Sequence, residues 1–328
     1  MLLGALDLRL DPWEVEYGSE LPLGSPAEEA PESAVDVAVE RAAADWQPLE
    51  PRAGFAAPAR LVFVDGVRRI EARVISRVGS VLCHGAFGSY AVGCVEASGN
   101  TASLGETQVE RVLALDSGQS LPEALEVGPA LSYRPVSSAV SDVDEPLRRL
   151  QQEMRLAEER LARQQADRAD TLVVSDGPLR FADPVRGGAV GLIKRIHELY
   201  VGGALLGCLA RIPAGWRSPL FALANPQRFS RYSWFLRLAA PRRGDADMAG
   251  LVRLEVADAV GLEAARGLAD ATSALLPRFA PSRGRDPRAP QNLLPIGALE
   301  SQLRRRLGDP RLIRRHIQAL LAREAVHA

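Results

Sequence analysis

The chain has 328 residues, 47% hydrophobic and 25% charged, with a formal net charge of −1, so it can bury one large core or two ordinary ones. No run approaches the roughly 18 consecutive apolar residues of a membrane helix, and "MLLGALDLRLDPWEVEYGSE" lacks a secretory signal's basic start and cleavage site. Three scattered cysteines (Cys83, Cys94, Cys208) without a CxxC argue against a disulfide framework or a zinc site, and predict a reducing cytoplasm with no membrane association.

In chain order, residues 1–50 are acidic, with twelve Asp and Glu against Arg9 and Arg41. "ELPLGSPAEEAPESAV" reads as a surface loop over 20–35, and "VDVAVERAAADW" behind it has helical spacing. From 59 to 97 the pattern turns to β, with strands expected at Leu61–Val64, in "RRIEARVISRV" and in "GAFGSYAVGCVEA", three strands of an antiparallel meander. The region 98–140 is less regular, with "ERVLALD" as a further strand or short helix. Residues 144–169 form the clearest element, a long amphipathic helix with Leu150, Met154, Ala157 and Leu161 as its apolar stripe. A strand at 171–175 is closed by the Asp176-Gly177-Pro178 turn, and "GAVGLIKRIH" supplies another. "YSWFLRLAAP" and "GLVRLEVAD" predict a hairpin near 232–258, and helical segments at 261–276 and 296–323 follow. The end of the chain is basic: residues 278–323 carry eleven arginines against Asp286, Glu300 and Asp309. Such polarity fits a nucleic-acid-binding end and an acidic end that partly masks it. Three strands, a connection, a long helix and then a further strand predict an α/β (α+β) fold, a mixed sheet with helices packed on it.

Two apolar strands, "LVFVDG" and "LVVSDG", each reach an acid and a glycine at Asp65-Gly66 and Asp176-Gly177. Each alone is explained by a hydrated carboxylate and a turn glycine. In a mixed sheet, however, the two strands can lie side by side, and two carboxylates would then repel unless a cation sat between them. Hard oxygen ligands of this kind suit Mg²⁺ or Mn²⁺. The long helix offers a third acid. Glu158 lies about 80° round from Leu150 and Glu159 nearly opposite the stripe, which favours Glu158, although a local bend would exchange them. Of the 40 Lys and Arg residues a single one is lysine, Lys194, which points to a place where a compact ammonium is wanted rather than a planar guanidinium. Asp65, Glu158 or Glu159, Asp176 and Lys194 together fit metal-assisted phosphodiester hydrolysis. The chain has no GxxxxGK[ST], GxSxG or HExxH, which argues against P-loop, serine-hydrolase and zincin chemistry.

"FVDGVRR", "LVVSDGPL", "VGLIKR" and "YSWFLRL…GLVRLE", with "DPWEVEYGSEL" before them and "PQNLLPIGALESQLRRRLGD" after, resemble in order the motifs of the bacterial branch of the NurA-type nucleases. The resemblance implies an RNase H-like core, Mn²⁺- or Mg²⁺-dependent DNA hydrolysis, a homodimer, and partnership with a HerA-type hexameric translocase in DNA end processing at double-strand breaks. It implies an acidic N-terminal extension over 1–55 that packs on a nuclease domain over 56–328. It also implies that Asp65 and Asp176 are metal ligands, that Glu158 or Glu159 is the helical glutamate, and that Lys194 is the lysine after the next strand. Where members carry a C-terminal histidine after a proline, this chain has Glu300 or a neighbour, and His316 lies further on. A second reading is a nuclease-fold interaction protein that regulates a translocase; a third is a metal-dependent phosphatase.

Overall fold

The structure, a computed structural model, describes residues 8–10, 34–52, 54–55, 57–99, 101–225, 229–282 and 288–327. Two short strands, β1 (Arg9–Leu10) and β2 (Ala34–Asp36), precede a meander of long strands, β3 (Arg60–Val78), β4 (Val81–Ser98) and β5 (Thr101–Leu115). A small hairpin, β6 (Leu125–Gly128) and β7 (Leu131–Ser137), leads to the long helix α1 (Glu145–Ala166). Then come β8 (Thr171–Asp176), β9 (Gly188–Ile193), the short α2 (Ala204–Ala210), and β10 (Phe221–Ala224), β11 (Arg231–Arg237) and β12 (Leu251–Ala257). Helices α3 (Leu262–Leu275), α4 (Leu294–Arg306) and α5 (Pro310–His327) follow.

All twelve strands join one mixed sheet, in the order β2-β10-β11-β12-β9-β8-β3-β4-β5-β7-β6, with β1 beside β3. The meander is antiparallel, while β8 runs parallel to both β3 and β9. Three antiparallel strands are thus followed by a helix and by two further strands parallel to β3, with β8 beside β3 and β9 beside β8.

The centre of the sheet is covered on both sides, so its strands are apolar on both faces. Leu61, Phe63, Leu172 and Val174 point to the face of α3 and the start of α4, against Ala265, Ala269 and Ile296. Val62, Val64 and Val173 point the other way, against Leu150, Met154, Ala157 and Leu161 of α1. Each such buried Leu, Val or Phe side chain contributes about 1.5–3 kcal/mol. This alternation decides which way the acids further along each strand point.

Several sequence expectations are corrected. Leu61–Val64 and "RRIEARVISRV" are one strand, so Asp65-Gly66 lies inside β3 and is not a turn. "GAFGSYAVGCVEA" is then the second strand of the meander, and the third is β5, in the region read as irregular. Its first six residues, Thr101–Glu106, are exposed and carry no apolar alternation; they are strand because their backbone pairs with β4. "VDVAVERAAADW" is not an α-helix: it begins in β2, paired with β10, and ends in a 3-10 turn over Ala43–Asp45. The final helical segment is divided into α4 and α5 by Gly308, at φ 81°, followed by Asp309-Pro310. The expected loop over 20–35 lies mostly outside the described residues, as does "DPWEVEYGSEL".

Residues 34–52 are built into the far side of the sheet. Trp46 packs in an apolar cluster with Phe221 and Phe235, and Leu49 exchanges backbone hydrogen bonds with Arg217. The buried Arg217 guanidinium donates to both carboxylate oxygens of Glu40, at 2.8 and 3.0 Å, and to Asp270 at 2.8 Å. No helix among the described residues is long and apolar enough to cross a membrane.

Candidate metal centre

Strands β3 and β8 are in parallel register from Arg60 with Thr171 to Val64 with Ser175, and the next step brings Asp65 beside Asp176. Parity with Phe63 and Val174 sends both carboxylates to the α3/α4 face. There α4 delivers Glu300, and one oxygen from each of Asp65, Asp176 and Glu300 lies within 4.8 Å of the other two. Asp65 and Glu300 are buried and Asp176 is half-buried.

Glu158 approaches from the opposite face, outside this group of three, and lies over Gly66. Gly66 has no side chain to block it: a Cβ there would stand 2.4 Å from Glu158 Oε1 and 3.1 Å from Met154 Cγ. The glycine after Asp65 therefore admits the helical carboxylate, whereas Gly177, at φ 99°, turns the chain after Asp176. The same dipeptide serves two different geometries. Glu159, half-buried, lines the same cleft of about 190 Å³ as Asp65, Glu158 and Asp176. His316 lies instead against Gly128 of β6, at the edge of the sheet.

Lys194, just past the end of β9, places its Nζ 2.5 Å from Asp176 Oδ2 and donates to Asn292 Oδ1 at 2.8 Å. Asn292 is itself buried, so the ammonium is held from two sides. Arg288 grips both oxygens of Glu300, at 2.9 and 2.8 Å. Behind the turn after Asp176, the buried Glu255 accepts the Leu179 N–H at 3.0 Å and pairs with Arg231 and Arg253. Arg288, Asn292 and Glu255 were not found from the sequence. Asn292 sits in a segment that carried part of the family resemblance, but nothing in its local pattern marks it as a partner of Lys194.

Burial and then repulsion from Asp176 and Glu158 push the Asp65 carboxyl well above the usual range. Burial, followed by the charge of Asp176, pushes Glu158 up to about 7. Asp176 is also raised by burial, against the opposing effect of Lys194. A divalent cation suits this donor set: all the donors are hard carboxylate oxygens, and Asp65, Glu158 and Asp176 are each still raised although Lys194, Arg288, Arg155 and Arg180 lie nearby.

A consequence can be read without any turnover. Each of these acids binds its proton more tightly in the folded chain than in the unfolded one. Metal-free protein therefore loses stability as pH rises from the ordinary carboxylate range through the pKa near 7 of Glu158. In EDTA, the urea midpoint should fall between pH 5 and pH 8, more steeply than in Asp65→Asn, and Mn²⁺ should restore it at pH 8. Equal pH profiles for the two proteins would show that the acids do not repel as described.

No known family model matches the chain, and no curated protein matches it. Among solved structures it is similar to the NurA nuclease from Sulfolobus solfataricus, at 11% identity over 85% of this chain and 86% of that one, with a TM-score of 0.44. It is also similar to the catalytic domain of human endonuclease V, at 16% identity over 80% of this chain and 91% of that one, with a TM-score of 0.32. What fold and site define is a mixed α/β protein with a buried carboxylate cluster at the centre of its sheet.

Proposed function

We propose that the chain is a Mn²⁺- or Mg²⁺-dependent nuclease that hydrolyses phosphodiester bonds in DNA. The observation that carries this reading is the convergence of Asp65, Asp176 and Glu300 on one point, with Glu158 entering over Gly66. A divalent cation held there would supply Lewis-acid stabilisation of phosphate oxygens and acidify attacking water.

The chain's own residues do the rest. Asp65 and Asp176, fixed on adjacent strands, hold the ligand geometry rigid. Lys194, clamped by Asp176 and Asn292, offers a charge to the phosphorus centre as negative charge builds on its oxygens. Exposed Arg304, Arg305 and Arg306 begin one helical turn beyond Glu300, and Arg311 and Arg315 extend the basic surface along α5. That surface suits a polyanionic strand better than a small phosphomonoester. The motif resemblance adds a homodimer and work alongside a HerA-type hexameric translocase in processing broken DNA ends, and the cysteine usage a cytoplasmic setting.

One feature favours a second reading, a catalytically weak nuclease-fold protein that regulates such a translocase: Glu300 stands where the resemblance expects histidine, and Arg288 occupies both its oxygens. Single-turnover assays on labelled single- and double-stranded DNA separate the two. The nuclease reading expects cleavage in Mn²⁺ or Mg²⁺, none in EDTA, and no turnover of small phosphomonoesters. Intact DNA under all three conditions would sink it.

Lys194→Arg gives a finer test. The guanidinium is wider than an ammonium, and its donors are fixed in a plane. Between Asp176 and Asn292 it would misplace the charge, with an expected loss on the order of a hundredfold in cleavage rate and little change in DNA affinity. An arginine variant that cuts normally would reduce the lone lysine to an accident of composition.

A further inference from the structure

Arg155 and Arg180 line the cleft on the Glu158 side, and the two cations paired with Asp176 and Glu300 differ in kind. Lys194 is clamped inside, its side chain 19% exposed, between Asp176 and the buried Asn292. Arg288 is 53% exposed at the side chain, while its partner Glu300 is 10% exposed. The guanidinium thus belongs to the exposed partner of a bidentate pair whose acid is one of the three converging carboxylates. Such a pair fixes the plane of the fork as well as its position. Its charge also reaches Asp176.

A phosphodiester that approaches Asp65, Asp176 and Glu300 meets repulsion, and the ammonium of Lys194 is already paired with Asp176. We propose that Arg288 is a phosphate-binding residue of this site: Glu300 aims its guanidinium, whose exposed edge contacts the non-bridging oxygens of the phosphodiester brought to Asp65 and Asp176. The proposal rests on the nuclease reading and extends it to how the anion is admitted. A guanidinium matches phosphate oxygens two at a time, which a lysine in the same place does not. Glu300 then has two tasks, as an oxygen ligand on its inner side and as the anchor of Arg288 on its outer side.

The competing explanation is that Arg288 serves only to hold Glu300 in place. The two differ in what happens to the cation. If Arg288 only orders Glu300, then Arg288→Gln loosens a ligand and weakens Mn²⁺ binding. If it binds phosphate, the same change removes a positive charge from beside the cluster, and Mn²⁺ binds as well or more tightly.

The test uses the full chain as wild type, R288Q and R288K, with Mn²⁺ affinity measured by calorimetry and cleavage of a labelled oligonucleotide measured in parallel. DNA affinity is compared between D65N and D65N/R288Q by fluorescence anisotropy in Mn²⁺. The proposal expects R288Q to lose on the order of ten- to a hundredfold in kcat/KM, with R288K in between, undiminished Mn²⁺ affinity, and weaker DNA binding by D65N/R288Q than by D65N. R288Q that cleaves like the wild type, or that loses Mn²⁺ affinity along with its activity, overturns it. A wild-type chain that never cleaves DNA in Mn²⁺ fails the nuclease reading itself, and the role of Arg288 falls with it.

Discussion

Asp65→Asn is expected to lower single-turnover DNA cleavage in Mn²⁺ by on the order of a thousandfold or more, while the protein still unfolds cooperatively. Asparagine keeps the shape of the side chain and its backbone contact but removes the charge that would bind the cation. Loss of several kcal/mol of transition-state stabilisation corresponds to a rate effect of about that size. The fold should survive because the variant relieves repulsion: Asp65 lies buried, and the charges of Asp176, Glu158 and Glu300 outweigh the opposing charge of Lys194. Asp176→Asn should be equally inactive and should also release Lys194 from its ion pair. Two variants that cleave at the wild-type rate would mean that the chemistry lies elsewhere.

The largest expected effect on stability is far from these acids. Arg217→Leu strips a buried guanidinium from Glu40 and Asp270, whose side chains are each 4% exposed. Two carboxylates would then be buried short of a partner, with Arg266, 3.6 Å from Glu40, and Arg52, 3.8 Å from Asp270, as the remaining ion-pair partners among the described residues. Breaking a buried pair from one side costs about 3–5 kcal/mol. The urea midpoint should fall accordingly with an unchanged m-value. Glu40 also accepts the Leu220 N–H, so the loss should loosen the approach to β10 and, with it, the seat of β2. A midpoint shift worth less than about 1 kcal/mol would show that leucine packing replaces the pair, as it does in some buried ion pairs.

The apolar runs before Asp65 and Asp176 are legible as strands, and the structure has Asp65 within β3 and Asp176 at the end of β8. The helical wheel favours Glu158 over Glu159, and Glu158 lies over Gly66 while both line the cleft, because about 100° per residue round a helix is local geometry. Asp65-Gly66 was misread as a turn because a glycine that frees the backbone and one that makes room for a neighbour look identical in sequence. The distinction lies in Glu158, which comes from another element. The first half of β5 was missed for a related reason, since its exposed polar residues hold strand geometry through backbone pairing with β4. Arg288 and Asn292 had no local signal. Asn292 meets Lys194 across 98 residues, and Arg288 is recognisable only beside Glu300.

The most direct test of the acid cluster as a cation site is a crystal structure of the chain soaked in Mn²⁺, with anomalous maps collected for the wild type and Asp65→Asn. A manganese peak coordinated by Asp65, Asp176 and Glu300, and lost in the variant, is the expected result. A map from well-ordered crystals at millimolar Mn²⁺ with no peak among these three carboxylates would contradict the account.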